Sequence, residues 1–107
     1  MTWVRPSAAI VSIGQEEREI GVSRYVMAPG GKSAEFALVV ADEWHGRGVG
    51  TRLMQALFDA ARARGISTLE GEILRNNATM LRLVANLGFH THELDTDESV
   101  VRATKVL

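Results

Sequence analysis

The stretch from Glu35 to Arg64 constrains this chain more than any other. Glu35-Phe36-Ala37-Leu38-Val39-Val40-Ala41 is nearly continuous apolar sequence, the signature of a strand covered on both faces, with one acid at its start. After a short connection, glycines recur at 46, 48 and 50 within His45-Gly46-Arg47-Gly48-Val49-Gly50. From Val49 to Arg64 the apolar residues Val49, Leu53, Met54, Leu57, Phe58, Ala60 and Ala61 fall at helical spacing, with Arg52, Gln55, Asp59, Arg62 and Arg64 mostly on the other side. A strand, a side-chain-free turn and a helix N-terminus in that order aim backbone N–H groups and the positive end of the helix dipole at one point, and Arg47 adds a full charge. An anion such as a diphosphate suits that point. Two commoner glycine loops are excluded by spacing. A dinucleotide fingerprint counted from Gly46 needs a glycine where Thr51 stands, and a triphosphate loop needs Gly-Lys-Ser/Thr.

The flanking segments build a sheet around this unit. Ala8 to Gly14 and Ile20 to Met27 are apolar or alternating runs separated by the polar break Gln15-Glu16-Glu17-Arg18-Glu19, which predicts a hairpin. Pro29-Gly30-Gly31-Lys32 is the strongest turn signal and connects the second strand to the apolar one. Gly65 supplies a helix stop. Ser67 to Leu74 alternates, with Leu69, Gly71 and Ile73 on one face and Glu70 and Glu72 on the other. A strand-helix-strand crossover of this length places that strand parallel to the central one. Asn76-Asn77 offers N-cap chemistry to a second helix with an apolar stripe of Met80, Leu83, Val84 and Leu87, ended by Gly88. Phe89 to Leu94 and Val100 to Val106 read as a closing hairpin around Asp95-Thr96-Asp97-Glu98.

Composition narrows the class. At 107 residues and 46% hydrophobic content the expectation is one domain spanning residues 1–107, with a single core. Twelve basic and 13 acidic residues leave a net charge of −1, which argues against nucleic acid as a partner. The absence of cysteine excludes disulfides, thiol nucleophiles and cysteine-based metal sites, and fits a reducing cytoplasm. No apolar run approaches the roughly 20 residues that span a bilayer, and Met1-Thr2-Trp3-Val4-Arg5-Pro6 lacks a signal-peptide pattern. A cytoplasmic protein with no membrane partner is expected.

The loop at 45–50, a polar residue followed by x-x-Gly-x-Gly after a strand, resembles the coenzyme A loop of the GNAT superfamily of N-acetyltransferases. Asn77-x-x-Met80-x-x-Leu83-Val84-x-x-Leu87-Gly88-Phe89 resembles the family's second marker, an asparagine opening a helix that ends in Leu-Gly-Phe. Both stand in the family's order, and the resemblance runs from about Ala8 to the C-terminus. It implies a mixed α/β fold: a mostly antiparallel sheet whose central parallel strand pair splays around the cofactor, with helices packed on it. It further implies that acetyl-CoA is the co-substrate, with no metal. Leu38, Val39 and Val40 would offer backbone groups to the pantetheine arm. His45, Gly46, Arg47, Gly48, Val49, Gly50 and Thr51 would hold the pyrophosphate, and Asn77 would reach the pantetheine. His45 stands where the family usually has glutamine or arginine. Val84 stands where many members place a tyrosine thought to protonate the departing thiolate.

A lysine amine with a pKa near 10.4 is neutral in only about one molecule in 2,500 at pH 7, so its attack on a thioester benefits from a base. Glu35, opening an otherwise apolar strand, is the candidate, on the expectation that desolvation favours its neutral form. The stretch Ala34-Glu35-Phe36-Ala37-Leu38-Val39-Val40, with Asn77-x-x-Met80-Leu81-x-Leu83 and the missing tyrosine, resembles the GNAT module of bacterial protein lysine acetyltransferases. In that subgroup the glutamate of Ala-Glu-Phe-Ala is the base, and transfer to the amine is direct. The acceptor implied is a primary amine, either a small molecule or a protein lysine. Glu70 and Glu72 read as a solvated face, His90 and His92 as surface histidines, and Trp3 and Trp44 as packing or rim residues.

Family members normally begin with a strand and two helices before the Ala8 strand, so an N-terminally truncated version of the fold is expected. An uncovered sheet face would favour self-association into a homodimer. The rival reading is a coenzyme A-binding regulatory module with weak or no transfer of its own.

Overall fold

The computed structural model describes residues 2–5, 8–15, 18–41 and 44–107, with side chains from residue 20 onward within those ranges. Among the described residues nine elements follow in order: β1 (Thr2–Arg5), β2 (Ala8–Gln15), β3 (Arg18–Met27), β4 (Ser33–Val40), α1 (Val49–Ala63), β5 (Thr68–Leu74), α2 (Ala78–Asn86), β6 (His90–Leu94) and β7 (Asp97–Val106). They form one seven-stranded sheet in the order β1-β2-β3-β4-β5-β7-β6. Every neighbouring pair is antiparallel except β4 and β5. The mixed sheet with one central parallel pair is the architecture expected from the sequence. The short strand β1, paired to β2 with Thr2 opposite Val11 and Arg5 opposite Ala8, was not. The side chain of Trp3 and the residues Glu16 and Glu17 of the polar break lie outside the described residues.

The parallel pair is brief. Ser33 faces Thr68, Ala34 faces Leu69 and Glu35 faces Glu70, after which β4 and β5 diverge. On its other edge β4 stays in register with β3 over seven positions, from Met27 opposite Ala34 to Gly21 opposite Val40. The space beneath the divergence is filled by Phe36, whose ring lies so close to Gly71 that a Cβ there would approach Cε1 to 2.6 Å. Phe36 in turn packs on Phe89 with centroids 5.1 Å apart, and Phe89 on Phe58 at 5.9 Å. Gly71 therefore belongs to the packing that lets the aromatic group sit where the strands part.

The stripe read from the sequence buries α1 through Val49, Leu53, Met54, Leu57, Phe58 and Ala61. Ser23 of β3 is fully buried against α1 and donates its hydroxyl to the Leu53 carbonyl at 2.9 Å. The α1 terminus at Gly65, with φ 79°, is closed by Ile66 N–H donating to the Ala61 carbonyl at 3.0 Å. Only two residues, Asp95 and Thr96, separate β6 from β7, because Leu94 pairs with Asp97. The Asp97 carboxylate accepts from the Ser99 hydroxyl at 2.6 Å and the Ser99 N–H at 2.9 Å, and these bonds hold its pKa below the ordinary value.

Both helices and the core lie on one face of the sheet, beneath Ala34, Phe36, Leu69, Ile73 and Ala103. Alternation along the strands puts Val26, Glu35, Val39, Glu70, Glu72, Leu74, Arg102 and Val106 on the opposite face. Val26, Val39, Leu74 and Val106 are the exposed large hydrophobic residues among those described, so all four share this open face. Among the described residues no helix is long and apolar enough to cross a membrane.

Candidate functional site

The glycine loop performs two different jobs. Gly46 and Gly48 take φ values of 78° and 79°, the left-handed region that disfavours a side chain, and so turn the chain sharply into α1. Gly48 is the N-cap and offers no side-chain oxygen, and the first turn of α1 carries no acid. The leading N–H groups of the helix are thus left without an internal acceptor, the condition for anion binding. Gly50 differs: a Cβ there would meet Leu83 Cδ2 of α2 at 2.9 Å. Its missing side chain sets how closely α2 approaches α1.

Between the loop, the end of β4 and α2 lies a groove of about 470 Å³. Leu38, Val39 and Val40 form one wall, and His45, Gly46, Gly48, Val49, Gly50 and Thr51 form the floor with Trp44. Asn77 lies on the α2 side. Glu35 and Arg47 are the two candidate residues that do not line it. Arg47 instead sits over the Trp44 ring, its guanidinium carbon 4.6 Å from the ring centroid. Trp44 thereby holds the loop's cation at the rim, a role its reading as a rim residue left unspecified.

Three α2 side chains at the groove, Thr79, Arg82 and Asn86, were not singled out from the sequence. The signal was available: 79, 82 and 86 share a helical face with Leu83. Arg82 brings a second cation to a groove expected to take an anion.

The backbone of β4 sorts the three central residues. Ala28 N–H donates to the Ser33 carbonyl at 2.8 Å and Ala41 N–H to the Ile20 carbonyl at 2.7 Å. In an antiparallel ladder these two bonds fix the alternation, so odd-numbered residues of β4 bond to β3 and even-numbered ones point toward β5. Beyond Glu35 there is no β5 partner in register. Leu38 and Val40 therefore present main-chain groups to the gap, whereas Val39 spends its own on β3. The Val40 carbonyl already accepts from His45 Nε2 at 2.8 Å. Since a carbonyl only accepts, this nitrogen carries the proton, and His45 directs that donor to the strand and not to an anion in the loop.

Asn77 caps α2, its Oδ1 accepting from Met80 N–H at 3.1 Å. Its side-chain NH2 is what remains to offer a ligand. Val84 is fully buried in the core, so the position expected to lack a proton donor has no access to the groove at all. The chain's single tyrosine is no substitute. Tyr25 is fully buried, its hydroxyl has no hydrogen-bond partner among the described residues, and burial raises its pKa against a smaller opposing pull from Arg64 beyond the far end of α1.

Glu35 does not occupy the desolvated setting expected of it. Its side chain is 54% exposed on the open face, and Arg102 donates to it from β7. Arg102 also donates to Glu70 at 2.6 Å, and its other terminal nitrogen lies 3.6 Å from Glu72. Glu70 and Glu72 are accordingly partners in a charge cluster, not a merely solvated face. Bonding to Glu35 and then to Glu70 raises the Arg102 pKa above its already high ordinary value. Glu35 also lies three residues, roughly 10 Å, along the strand from Leu38. His90 and His92 are exposed on β6, and among the described residues no group of three His, Asp or Glu side chains could hold a metal ion.

Comparison with known proteins gives a consistent picture. The model of the acetyltransferase (GNAT) family matches residues 2–89. An acetyltransferase of Pseudomonas aeruginosa is 34% identical over 91 residues, which cover 85% of this chain and 48% of that protein. The chain thus spans about half the length of that curated relative. Among solved structures, the GNAT domain of Streptomyces lividans PAT superposes with a TM-score of 0.85 at 27% identity, covering 94% of this chain and 61% of that one. A Salmonella typhimurium protein solved with its cofactor acetyl-CoA superposes with a TM-score of 0.80 at 20% identity, covering 94% and 65%.

Proposed function

Because the chain belongs to the acetyltransferase (GNAT) family, we propose that it binds acetyl-CoA in the groove between α1 and α2 and transfers the acetyl group to a primary amine at the open face. The observation that carries this reading is the divergence of β4 and β5 after Glu35, beside a loop whose helix N-terminus is uncapped by any side chain. The pyrophosphate sits on the N–H groups opening α1, attracted by Arg47. The pantetheine amides bond to the Leu38 carbonyl and the Val40 N–H in the gap, in the manner of an added strand, and to the Asn77 side chain. The match to a fold seen elsewhere with acetyl-CoA supports this ligand.

The chemistry is direct transfer. A neutral amine attacks the thioester carbonyl, the C–N bond forms, and the developing oxyanion is met by the Leu38 N–H, the gap-facing donor nearer Glu35. The C–S bond then breaks and coenzyme A leaves as a thiolate, taking its proton from water because position 84 supplies none. Glu35 accepts the amine proton, directly or through one water. The open face combines aliphatic Val26 and Val39 with three carboxylates around one guanidinium. That mixture suits an acceptor with an apolar stem and a cationic end, of which a protein lysine is one and a small aliphatic amine another.

Thiol release from acetyl-CoA in the presence of lysine peptides and small amines tests the reading. Turnover is expected, with Glu35→Gln losing it about 10²–10⁴-fold while acetyl-CoA still binds. Arg47→Ala should weaken acetyl-CoA binding about twofold to fivefold, as loss of one nearby cation at the rim does. The burial of Val84 favours one second reading, a coenzyme A-binding regulatory module. Intact binding with no turnover across the panel would select it. The valines and leucine of the open face also support a homodimer, which a strict monomer in size-exclusion chromatography at high concentration would rule out.

A further inference from the structure

We propose that Phe36 sets the length of the acyl group this site accepts, closing the inner end of the groove so that an acetyl group fits and a butyryl group does not. The inference rests on the reading of the groove as the acetyl-CoA site and names which thioesters it takes.

On β4 the groove is walled by Leu38, Val39 and Val40 and goes no further: Phe36, the next residue inward on the Leu38 side of the strand, does not line it, and neither does any residue of β5. The phosphate end of the ligand lies at the opening of α1, beyond Val40, so the thioester end points along β4 toward Phe36. Two residues of strand, roughly 7 Å, separate Leu38 from Phe36. Just past Phe36 the two strands are in register at Glu35 and Glu70. Paired strands lie only about 4.8 Å apart, which leaves no room between them. The gap is thus a wedge with its point at Glu35.

The core side of that wedge is a fixed wall. Phe36 is 9% exposed and stands opposite Tyr25 of β3, which is fully buried. On its other side Gly71, between the buried Leu69 and Ile73, is the one core-facing position of β5 with no side chain, and the Phe36 ring occupies the space that a Cβ there would need. Phe89 packs on the ring from within the core, with Phe58 behind it. With neighbours on three sides the ring has nowhere to withdraw. The opposite face is open, and it is the face on which the amine arrives. An acyl carbonyl is attacked perpendicular to its plane, so its substituent lies across the line of approach, along the gap. Each added carbon carries that substituent toward Phe36.

Calorimetric titration with coenzyme A, acetyl-CoA, propionyl-CoA and butyryl-CoA tests this without an acceptor amine. Butyryl-CoA should bind at least about tenfold more weakly than acetyl-CoA, with propionyl-CoA between them, as an overfilled apolar pocket requires. Phe36→Leu shortens the wall, and in it butyryl-CoA should recover to within about threefold of acetyl-CoA. Free coenzyme A has no acyl group, so its dissociation constant should stay within about threefold of the wild-type value, a result that general damage to the fold would not give. Should that variant not fold, Phe36→Met, nearer in volume and more adaptable, must show the same recovery. Wild-type protein that binds butyryl-CoA as tightly as acetyl-CoA would overturn the proposal, and so would a folded Phe36→Leu that keeps the full butyryl penalty. Failure of coenzyme A and of every thioester to bind removes the coenzyme A reading itself, a different result from equal binding across the series.

Discussion

The two edges of β4 do opposite work. Toward β3 the strand is paired at seven successive positions, while toward β5 it is paired at three and then abandoned. The first edge gives the fold continuity. The second leaves main-chain groups at Leu38 and Val40 facing a gap, beside the loop and α2. The same strand thus serves as scaffold on one side and ligand partner on the other, and alternation along the backbone decides which residue does which.

Leu38 and Val39 allow that difference to be broken with one chemical change. Replacing either by its own α-hydroxy acid counterpart exchanges its amide for an ester and deletes one N–H without altering the side chain. At position 38 we expect kcat to fall about 10²–10³-fold, the cost of an oxyanion donor, with the melting temperature nearly unchanged. At position 39 the reverse should hold: a rung to Val22 is lost, stability falls by about 1 kcal/mol in a denaturant titration, and kcat persists. Next in size, Gly71→Ala pushes a methyl group into Phe36 and should cost about 1–3 kcal/mol. Acetyl-CoA affinity should fall with it, because Phe36 fills the space where the strands part.

Asn77→Ala is expected to cost about 1 kcal/mol as a lost N-cap. It should also weaken acetyl-CoA binding, whereas Asn77→Asp, which keeps the cap but not the NH2, should weaken binding alone. The smallest effect belongs far from β4. Arg75 donates to both Glu93 oxygens and, at 2.7 Å, to the Glu98 carbonyl, closing the β6–β7 hairpin. The Arg75 bond, chiefly, holds the Glu93 pKa below its ordinary value. Whatever stability this gives is present above the ordinary carboxylate value and disappears as pH falls through the lowered one. Arg75→Ala should shift the melting temperature by less than about 5 °C at neutral pH and by nothing below that window.

Much of this was readable in the chain itself. The stripes of α1 and α2, the alternation of Ser67 to Leu74 and a closing hairpin around Asp95-Thr96-Asp97-Glu98 are local patterns, and local patterns survive in sequence, although the last strand begins at Asp97, three residues before the expected Val100. The groove residues from Leu38 to Thr51 were also within reach, because they are contiguous and glycine marks their turn. What could not be read depends on register between distant strands. Arg102 lies 67 residues from Glu35, and only the order β4-β5-β7 brings them together. The same holds for the setting of Glu35, which looked desolvated from its apolar neighbours in sequence. Those neighbours alternate, so Phe36 and Ala34 face the core while Glu35 faces outward. Gly50 was read for its place in the loop, and its contact with Leu83 appears only once α2 is laid against α1.

The sealed phenol of Tyr25 gives the molecule an optical reporter of its own unfolding. A phenol ordinarily ionises near pH 10, and burial moves this one higher in the folded chain. Between those two values the unfolded form releases a proton that the folded form retains, so stability declines as pH rises through that interval. Since no other tyrosine is present, phenolate absorbance in mild alkali should rise with the unfolded fraction and stay low while the core is closed.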